Sequence, residues 1–225
     1  AYLFFGSGNG PVTTPSMTLQ AADTSLAENF GYSVASAGDV NADGFGDIIV
    51  GDPQYTGGNY GGAFVFLGSA SGPATTPATT LLGTQFQAAF GDAVASAGDV
   101  NGDGYDDVIV GAPFFDTVTS PDDQNGKIYV FHGSASGVDA TADFTAVGTA
   151  EYDQNLGLAV AGVGDVNGDG FADIAVSGNI GDESLVYYGS STGIGQSPLD
   201  YLDGERVEAA GDVNGDGFGD LLVGA

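Results

Sequence analysis

One nine-residue acidic motif occurs four times in this chain of 225 residues and constrains the fold more than any other feature. The copies are DVNADGFGD (39–47), DVNGDGYDD (99–107), DVNGDGFAD (165–173) and DVNGDGFGD (212–220). Each copy has Asp or Asn at positions 1, 3, 5 and 9 and Gly at position 6, so side-chain oxygens alternate around a turn that Gly permits. A motif that recurs in a constant sequence context indicates a repeat protein.

Segments with strand character flank each acidic motif. In the first repeat an alternating segment (33–37) precedes the motif, and a short apolar run (47–51) ends it. A third strand is predicted at 63–72, 127–137 and 184–193, and a weaker fourth at 80–83, 144–148 and 198–202. The motifs begin at 39, 99, 165 and 212, so the units are 60, 66 and 47 residues long. Four strands in units of this length are typical of β-propeller blades.

The sequence therefore predicts an all-β fold, with residues 1–225 as a single β-propeller of four blade units. Segment 1–29 supplies only a third and a fourth strand, and segment 203–225 only a first and a second. These two segments are predicted to form one split blade, because pairing them would close the ring and hide its edge strands. The alternative is an arbitrary cut from a longer propeller. The continuous blades are predicted at 30–89, 90–155 and 156–202.

The wider repeat, FG…VA.AGDVN.DG..D..VGAP, resembles the FG-GAP repeat of integrin α-subunit propellers and of related bacterial and fungal proteins. Residues 30–31 and 90–91 are the FG pair, residues 111–113 are GAP, and residues 51–53 are a near match. The third repeat departs from the pattern at 177–179 and the fourth at Asp203. The resemblance implies a calcium loop between the first two strands of each blade, and a role in adhesion or ligand binding. Propellers of this family more often have seven blades, whereas four units are present here.

The acidic loops are predicted to bind about four Ca²⁺ ions, one in each repeat. All-oxygen ligands on a flexible loop favour Ca²⁺ over Mg²⁺, and transition metals would call for His or Cys. Position 12 of each loop is Val, where an EF-hand needs Glu, so these loops are only EF-like. The alternative is a series of Asx turns without an ion. Side chains at positions 1, 3, 5 and 9 and the carbonyl at position 7 give the predicted ligands: Asp39, Asn41, Asp43, Phe45, Asp47, Asp99, Asn101, Asp103, Tyr105, Asp107, Asp165, Asn167, Asp169, Phe171, Asp173, Asp212, Asn214, Asp216, Phe218 and Asp220.

Composition excludes several function classes. The chain has 30 acidic and 2 basic residues, a net charge of −28, which disfavours nucleic acid and anionic membranes as partners. It has no Cys, so disulfides, thiol catalysis and Cys-ligated zinc are excluded. Its one histidine, His132, lies in a predicted strand where other repeats have Leu67 and Tyr188, which favours packing over catalysis. No apolar run is long enough to predict insertion into a membrane.

These features predict a calcium-binding, non-enzymatic recognition, adhesion or structural propeller. Weak Asp and Asn cages suit millimolar calcium, so an extracellular location, secreted or at the cell surface, is expected. The alternative is a propeller-type lectin that binds glycans, and a hydrolase-associated domain is a third reading. The expected partner is an unidentified protein or glycan, and a second copy that completes a larger ring is the alternative to closure within one chain. Aromatic candidates for ligand contact are Tyr55, Tyr60, Phe114, Phe115, Tyr152 and Tyr201.

Overall fold

A computed structural model describes residues 1–27, 29–56, 60–117, 124–148, 155–178, 183–198 and 200–224. The described residues form antiparallel β-strands that pair with their neighbours in sequence. The strands are β1 Tyr2–Leu3, β2 Met17–Thr18, β3 Ser33–Gly38, β4 Asp47–Asp52, β5 Gly62–Phe66, β6 Thr79–Leu82, β7 Val94–Gly98, β8 Asp107–Ala112, β9 Lys127–Phe131, β10 Phe144–Val147, β11 Ala159–Gly164, β12 Asp173–Ser177, β13 Glu183–Tyr187, β14 Asp200–Asp203, β15 Arg206–Gly211 and β16 Asp220–Gly224.

The strands form three complete four-stranded blades, β3–β6, β7–β10 and β11–β14, and two half blades, β1–β2 and β15–β16. This architecture confirms the predicted β-propeller fold with FG-GAP blades. In each copy, the strand before the acidic loop ends in a β-bulge at a glycine with positive φ, between 71° and 83°. Glycine adopts this φ without steric cost, so the bulge redirects the chain into the acidic loop.

The hydrophobic core lies between the blades. Ala37 and Ile49 of the first complete blade pack with Val94 and Val108 of the second, and equivalent apolar clusters fill the later junctions. The phenylalanine of each FG pair packs on aromatic side chains of its own blade. The rings of Phe90 and Tyr129 lie 5.0 Å apart in an edge-to-face arrangement. Edge-to-face pairs of this kind stabilise a core beyond the area that they bury.

Glycines of the FG and GAP signatures meet where one blade packs on the next. A Cβ added to Gly111 would overlap the carbonyl oxygen of Gly157, and one added to Gly51 would overlap that of Gly91. The third repeat has Ser177 at this position, and its hydroxyl donates a hydrogen bond to the carbonyl oxygen of Glu205 at 2.7 Å. The glycines of the signature therefore allow two backbones to lie close together. In the third repeat, where Ser177 takes the place of glycine, a hydrogen bond joins the two segments instead.

The two half blades form separate sheets. The pairing of these halves in one split blade, which the sequence predicted, is not observed in the structure. Leu19 and Ala21, which follow β2, pack with Phe64 and Phe66 of the first complete blade. Val207 on β15 packs against the third complete blade. Each half is held by its neighbour in sequence, and three complete blades lie between them, so the described chain is an open, partial propeller.

Candidate functional site

The first aspartate of each acidic loop organises the turn that follows it. Asp39 Oδ1 accepts the N–H of Asp43 at 3.0 Å, and its Oδ2 accepts the N–H of Gly44 at 2.8 Å. The equivalent bonds of Asp99, Asp165 and Asp212 measure between 2.8 and 3.1 Å. Asp99, Asp165 and Asp212 each accept a third backbone N–H, from Gly102, Gly168 and Gly215 at 2.6–2.7 Å. The two bonds common to all four carboxylates give the loops closely similar local structures.

Positions 3 and 5 lie on the same turn. Asn41 Oδ1 accepts the N–H of Asp43 at 3.2 Å, and Asn41 Nδ2 donates to Asp43 Oδ2 at 3.0 Å. Asp43 Oδ1 accepts the N–H of Phe45 at 2.9 Å. The second and third loops repeat all three bonds. The structure therefore brings the predicted ligands at positions 1, 3 and 5 together, although hydrogen bonds within the turn already occupy part of their oxygen capacity.

The aspartate at position 9 has a structural role that the sequence did not reveal. Asp107 Oδ2 accepts the N–H of Val100 at 2.9 Å, and its Oδ1 accepts the N–H of Gly133, just after the third strand, at 2.8 Å. Asp47 and Asp173 make the same pair of bonds. Asp220 makes only the first, with Val213 at 2.8 Å, because its sheet lacks a third strand. Position 9 thus ties the acidic loop to the outer half of a complete blade.

Burial makes position 9 electrostatically unfavourable without a counter-charge. Desolvation raises the pKa of Asp107 to about 6, against the opposing effect of its two backbone hydrogen bonds. Desolvation also raises the pKa of Asp47 and of Asp173, and the other carboxylates of the same loops add to the effect. A nearby cation would remove much of this penalty, because an opposite charge favours the ionised carboxylate.

The chemistry of the donor set fits calcium. Among the described residues, no three or more Asp, Glu or His side chains converge closely enough to form a metal site by themselves. A carboxylate oxygen that accepts one N–H keeps a second lone pair, so the same oxygen can also coordinate a cation. Aspartate, asparagine and backbone carbonyl oxygens on a glycine-containing turn suit a hard cation with variable geometry. At position 7 the rings of Phe171 and Phe218 pack over Gly102 and Gly168 of the preceding loops.

The acidic loops also connect successive blades. The backbone N–H of Asp39 donates to Asp106 Oδ2 at 2.8 Å, and the carbonyl of Asp39 accepts the N–H of Asp106 at 3.2 Å. The carbonyl of Asp99 accepts the N–H of Ala172 at 3.0 Å in the same way. The carbonyl of Asp165 accepts the N–H of Gly219 at 2.8 Å. Each acidic loop is therefore hydrogen-bonded to the segment at or just before position 9 of the next loop.

A polar cleft lies between the first two complete blades, at the ends of the strands opposite the acidic loops. Its volume is about 460 Å³, and its lining includes Asn29, Tyr32, Gln54, Asp92, Phe114 and Gln124. Tyr32 is 63 % exposed and Phe114 is 40 % exposed. Burial raises the pKa of Asp92. The described lining combines accessible aromatic faces, side-chain amides and a carboxyl group, without a basic side chain.

Backbone strain marks the same cleft. Gln87, Ala89 and Gln124, which all line it, have positive φ values of 60°, 57° and 47°. Such conformations are uncommon for residues other than glycine, and they concentrate at binding and catalytic sites. The positive φ of Ala89 recurs at its repeat equivalent Asn155, at 64°, so the accessible aromatic rings, and not the backbone conformation alone, distinguish this cleft.

The aromatic residues that the sequence proposed as ligand contacts lie in different environments in the structure. Tyr55 is buried against Phe64, and the ring of Phe115 lies 5.0 Å from Lys127 Nζ. Phe114 lines the cleft, whereas Tyr60 pairs with Phe86 at 6.1 Å and Tyr201 is exposed on an outer strand. Tyr152 lies outside the described residues.

Tyr32 is a cleft residue that the sequence analysis missed. It occupies the third position of its repeat, where the other repeats have Asp92, Leu158 and Glu205. Variation at one position of an otherwise regular repeat is the signal that could have identified it. Constant positions build the blades, and variable positions at the ends of strands are free to differ in function.

Comparison with known proteins identifies the family. The FG-GAP repeat model matches residues 90–131, 156–192 and 206–225, and the FG-GAP-like repeat model matches 39–110. The chain is 36 % identical to integrin alpha-6 of Homo sapiens over 165 residues, 72 % of this chain and 13 % of that protein. It is 32 % identical to integrin alpha-5 of Xenopus laevis over 174 residues, 73 % of this chain and 16 % of that protein.

A third relative is integrin alpha-PS2 of Drosophila melanogaster, 34 % identical over 176 residues, 72 % of this chain and 12 % of that protein. The chain thus spans less than a fifth of the length of these relatives. No described helix is long and apolar enough to cross a membrane. With its repeated acidic loops, four-stranded blades and integrin alpha likeness, the chain belongs to the FG-GAP repeat family.

Proposed function

We propose that this integrin-alpha-like FG-GAP domain is a calcium-stabilised, extracellular recognition module of the adhesion type, and that it is not an enzyme. The observation that carries the proposal is the cleft between the first two complete blades, with its exposed Tyr32 and Phe114 and its strained backbone. Aromatic rings beside amide groups are a common basis for recognising peptides and sugars.

Calcium would be held at the acidic loops, by the oxygens at positions 1, 3, 5 and 9 and the carbonyl at position 7. The bound ion would supply positive charge where burial has raised the pKa of Asp47, Asp107 and Asp173. If each site binds at about 0.1 mM, then calcium at about 1–2 mM adds roughly 1.4–1.8 kcal/mol per site. Sites of this assumed strength would fill in extracellular fluid, as the proposed location requires.

The surroundings of His132 support a non-enzymatic role. Its Nδ1 lies 3.8 Å from Asp143 Oδ1, and its Nε2 is buried from solvent. A general base must reach the proton that it removes, directly or through one water molecule. Because Nε2 is buried and Nδ1 faces a carboxylate, the surroundings of His132 suit packing better than proton transfer to a substrate.

A lectin is the second candidate function, and the same cleft favours it. Neutral sugars stack on exposed aromatic rings and hydrogen-bond to amide and carboxyl groups, and both kinds of group line this cleft. The net charge of −28 and the lack of a basic side chain in the described lining disfavour anionic ligands. A glycan and a peptide thus remain distinct outcomes of one binding experiment.

The proposal is tested by binding of the calcium-loaded chain to a glycan array and to immobilised extracellular-matrix proteins. We expect saturable binding that Tyr32→Ala and Phe114→Ala each weaken about tenfold, a loss typical of one aromatic contact residue. Tyr201→Ala is the matched control, because Tyr201 is similarly exposed on the outer strand β14. Binding that all three substitutions leave unchanged would exclude the cleft, and saturable binding to one sugar class alone would identify a lectin.

A further inference from the structure

A buried carboxylate outside the acidic loops lies beside the cleft. Asp52 follows Gly51 in the first GAP-like signature, where the second repeat has Ala112 and the third has Gly178. Asp52 is fully buried, and the other buried acidic residues that the structure describes are all at position 9 of an acidic loop. A buried carboxylate is unfavourable unless hydrogen bonds or opposite charges compensate its desolvation. The bonds that Asp52 makes therefore show what this departure from the signature does.

One oxygen of Asp52 joins two segments of the first repeat. Asp52 Oδ1 accepts the N–H of Gln54 at 3.1 Å, which closes a local turn after β4. The same oxygen accepts the N–H of Asn29, 23 positions away in the chain, also at 3.1 Å. Both donor residues line the cleft. The carboxylate therefore fixes the end of β4 to the segment that precedes β3.

The bond to Asn29 anchors the turn that presents Tyr32. The carbonyl of Asn29 accepts the N–H of Tyr32 at 3.0 Å, so residues 29–32 form a hydrogen-bonded turn. The carbonyl of Gly51 accepts the N–H of Gly31 at 3.0 Å and holds the middle of this turn. Asp52 adds a second point of attachment, at the residue where the turn begins.

Every residue that the first repeat contributes to the described lining is connected to this carboxylate. These residues are Asn29, Tyr32, Pro53 and Gln54. Asn29 and Gln54 donate to Asp52 directly, Tyr32 donates to Asn29, and Pro53 follows Asp52 in the chain. One side of the cleft therefore depends on a single buried side chain.

The other complete blades form the same turn without a carboxylate. The N–H of Asp92 donates to the Ala89 carbonyl, and that of Leu158 donates to the Asn155 carbonyl, both at 3.0 Å. Ala89 and Asn155 have positive φ values of 57° and 64°, whereas Asn29, at the same position, is not among the described residues with positive φ. Asparagine adopts the left-handed conformation more readily than most residues. The residue type at position 29 therefore does not explain the difference, and the bond to Asp52 does.

We propose that Asp52 is a positioning residue of the cleft. Its carboxylate holds Asn29 outside the left-handed conformation of the equivalent turns, and this sets the direction in which the turn presents Tyr32 to a ligand. The inference rests on the recognition function proposed for the cleft. Because Asp52 is fully buried, it contacts no ligand and acts through Asn29 and Tyr32. The first signature keeps its glycine and proline, and the aspartate between them adapts one blade junction for binding.

Nuclear magnetic resonance of Asp52→Ala tests the conformational step. Alanine occupies this position in the second complete blade, so the variant is compatible with the fold. The nuclear Overhauser effect between the amide proton and Hα of one residue is strong at positive φ, and Ala89 and Asn155 serve as internal references. We expect a weak effect at residue 29 in the unsubstituted chain and a strong one in Asp52→Ala, with faster deuterium exchange of the Asn29 and Gln54 amides. A weak effect at residue 29 in both proteins would overturn the proposal.

Two further variants separate positioning from a general loss of stability. Asp52→Asn keeps a carbonyl oxygen that can accept both N–H groups, so the effect at residue 29 should stay weak. Ser177→Ala is the control, because it removes a buried hydrogen bond of 2.7 Å at the signature of the third repeat, outside the cleft lining. It should change neither the signal of residue 29 nor ligand binding. A strong effect at residue 29 in Asp52→Asn or in Ser177→Ala would overturn the proposal.

Ligand binding shows whether the turn positions Tyr32. The probes are the arrayed glycans and the immobilised extracellular-matrix proteins, with the chain loaded with calcium. Asp52→Ala should weaken binding about tenfold, as Tyr32→Ala does. The double variant should bind within about threefold of Tyr32→Ala alone, because a positioning residue acts through the residue that it positions. Fully additive losses, or unchanged binding by Asp52→Ala where Tyr32→Ala weakens it, would overturn the proposal.

Failure of the recognition function has a different signature. In that case Tyr32→Ala and Phe114→Ala leave binding unchanged, whatever Asp52→Ala does. The signal of residue 29 alone then decides whether Asp52 holds the turn, since that measurement requires no ligand.

Discussion

Substituting Gly111 with alanine tests whether the FG-GAP signature encodes a close approach of blades. Gly111 lies on β8, and an added Cβ would overlap the carbonyl oxygen of Gly157 and lie 2.9 Å from its carbonyl carbon. The backbone of Gly111 is not in the positive-φ region, so alanine causes no conformational strain of its own. Any loss of stability from Gly111→Ala therefore measures steric overlap between the second and third complete blades.

The expected loss of stability follows from the backbone shift that would relieve the overlap between the added Cβ and Gly157. Carbon atoms in van der Waals contact lie about 3.5–4.0 Å apart, so relief of the overlap requires a shift on the order of 1 Å. Overpacking of this kind costs about 1–3 kcal/mol. Two backbone hydrogen bonds of Gly111, 2.9 Å to the Ala93 carbonyl and 3.0 Å from the Gly91 N–H, would be distorted. Each contributes about 1 kcal/mol, so we expect a total loss of about 3 kcal/mol.

Urea unfolding in millimolar calcium, followed by circular dichroism, measures this loss. Gly46→Ala is the matched control, because an added Cβ there has no atom within 4 Å, and Ala172 already occupies the equivalent position of the third repeat. The control should change the free energy of unfolding by less than about 0.5 kcal/mol. If Gly111→Ala is as stable as Gly46→Ala, the two glycines do not hold adjacent blades together and the steric argument is wrong.

Three further outcomes are expected from the acidic loops. Chelation of calcium should lower the melting temperature, and an unchanged value would exclude a stabilising ion. In the metal-free protein burial raises the pKa of Asp107 to about 6, so its contribution to stability is complete below about pH 4 and is lost as the pH rises through 6. The free energies of unfolding at pH 5 and pH 7 should therefore differ by roughly 1.3 kcal/mol in favour of pH 5, and a more stable protein at pH 7 would contradict this. In the presence of chelator, Asp107→Ala should lower the free energy of unfolding by about 2–6 kcal/mol, because it leaves the buried N–H groups of Val100 and Gly133 unpaired. Asp220→Ala frees only the exposed Val213 N–H and should lower it by less than about 1 kcal/mol. Equal losses would exclude the bridging role of Asp107.

Much of the fold could be predicted because the same order of strands and loops recurs in every repeat of the sequence. The bulge glycine, the acidic loop and the apolar second strand recur in a fixed order, so one correct assignment applies to four copies. Pairing of strands within a blade is local in sequence, and the structure confirms it. Strand patterns show which elements pair within a continuous blade, but they did not reveal that the two half blades form separate sheets. Closure depends on how three complete blades rotate between β2 and β15.

The remaining features depend on contacts across longer distances. The bond from Asp107 to the Gly133 N–H joins residues 26 positions apart, and a sequence motif that suits a metal ligand does not reveal that role. The cleft is built from Tyr32 and Gln54 of one blade with Asp92 and Phe114 of the next. Its residues occupy variable positions of the repeat, so no single repeat contains the site.

The backbone bonds between successive acidic loops have a mechanical consequence. Hydrogen bonds join Asp39 to Asp106, Asp99 to Ala172, and Asp165 to Gly219, so a series of hydrogen-bonded contacts, here called latches, runs along one edge of the propeller. A pulling force that opens adjacent blades at this edge would load those latches one after another. An ion that stiffens each loop would then raise the force needed to open the weakest latch. In a module that bears load, calcium concentration would set tensile strength as well as thermal stability.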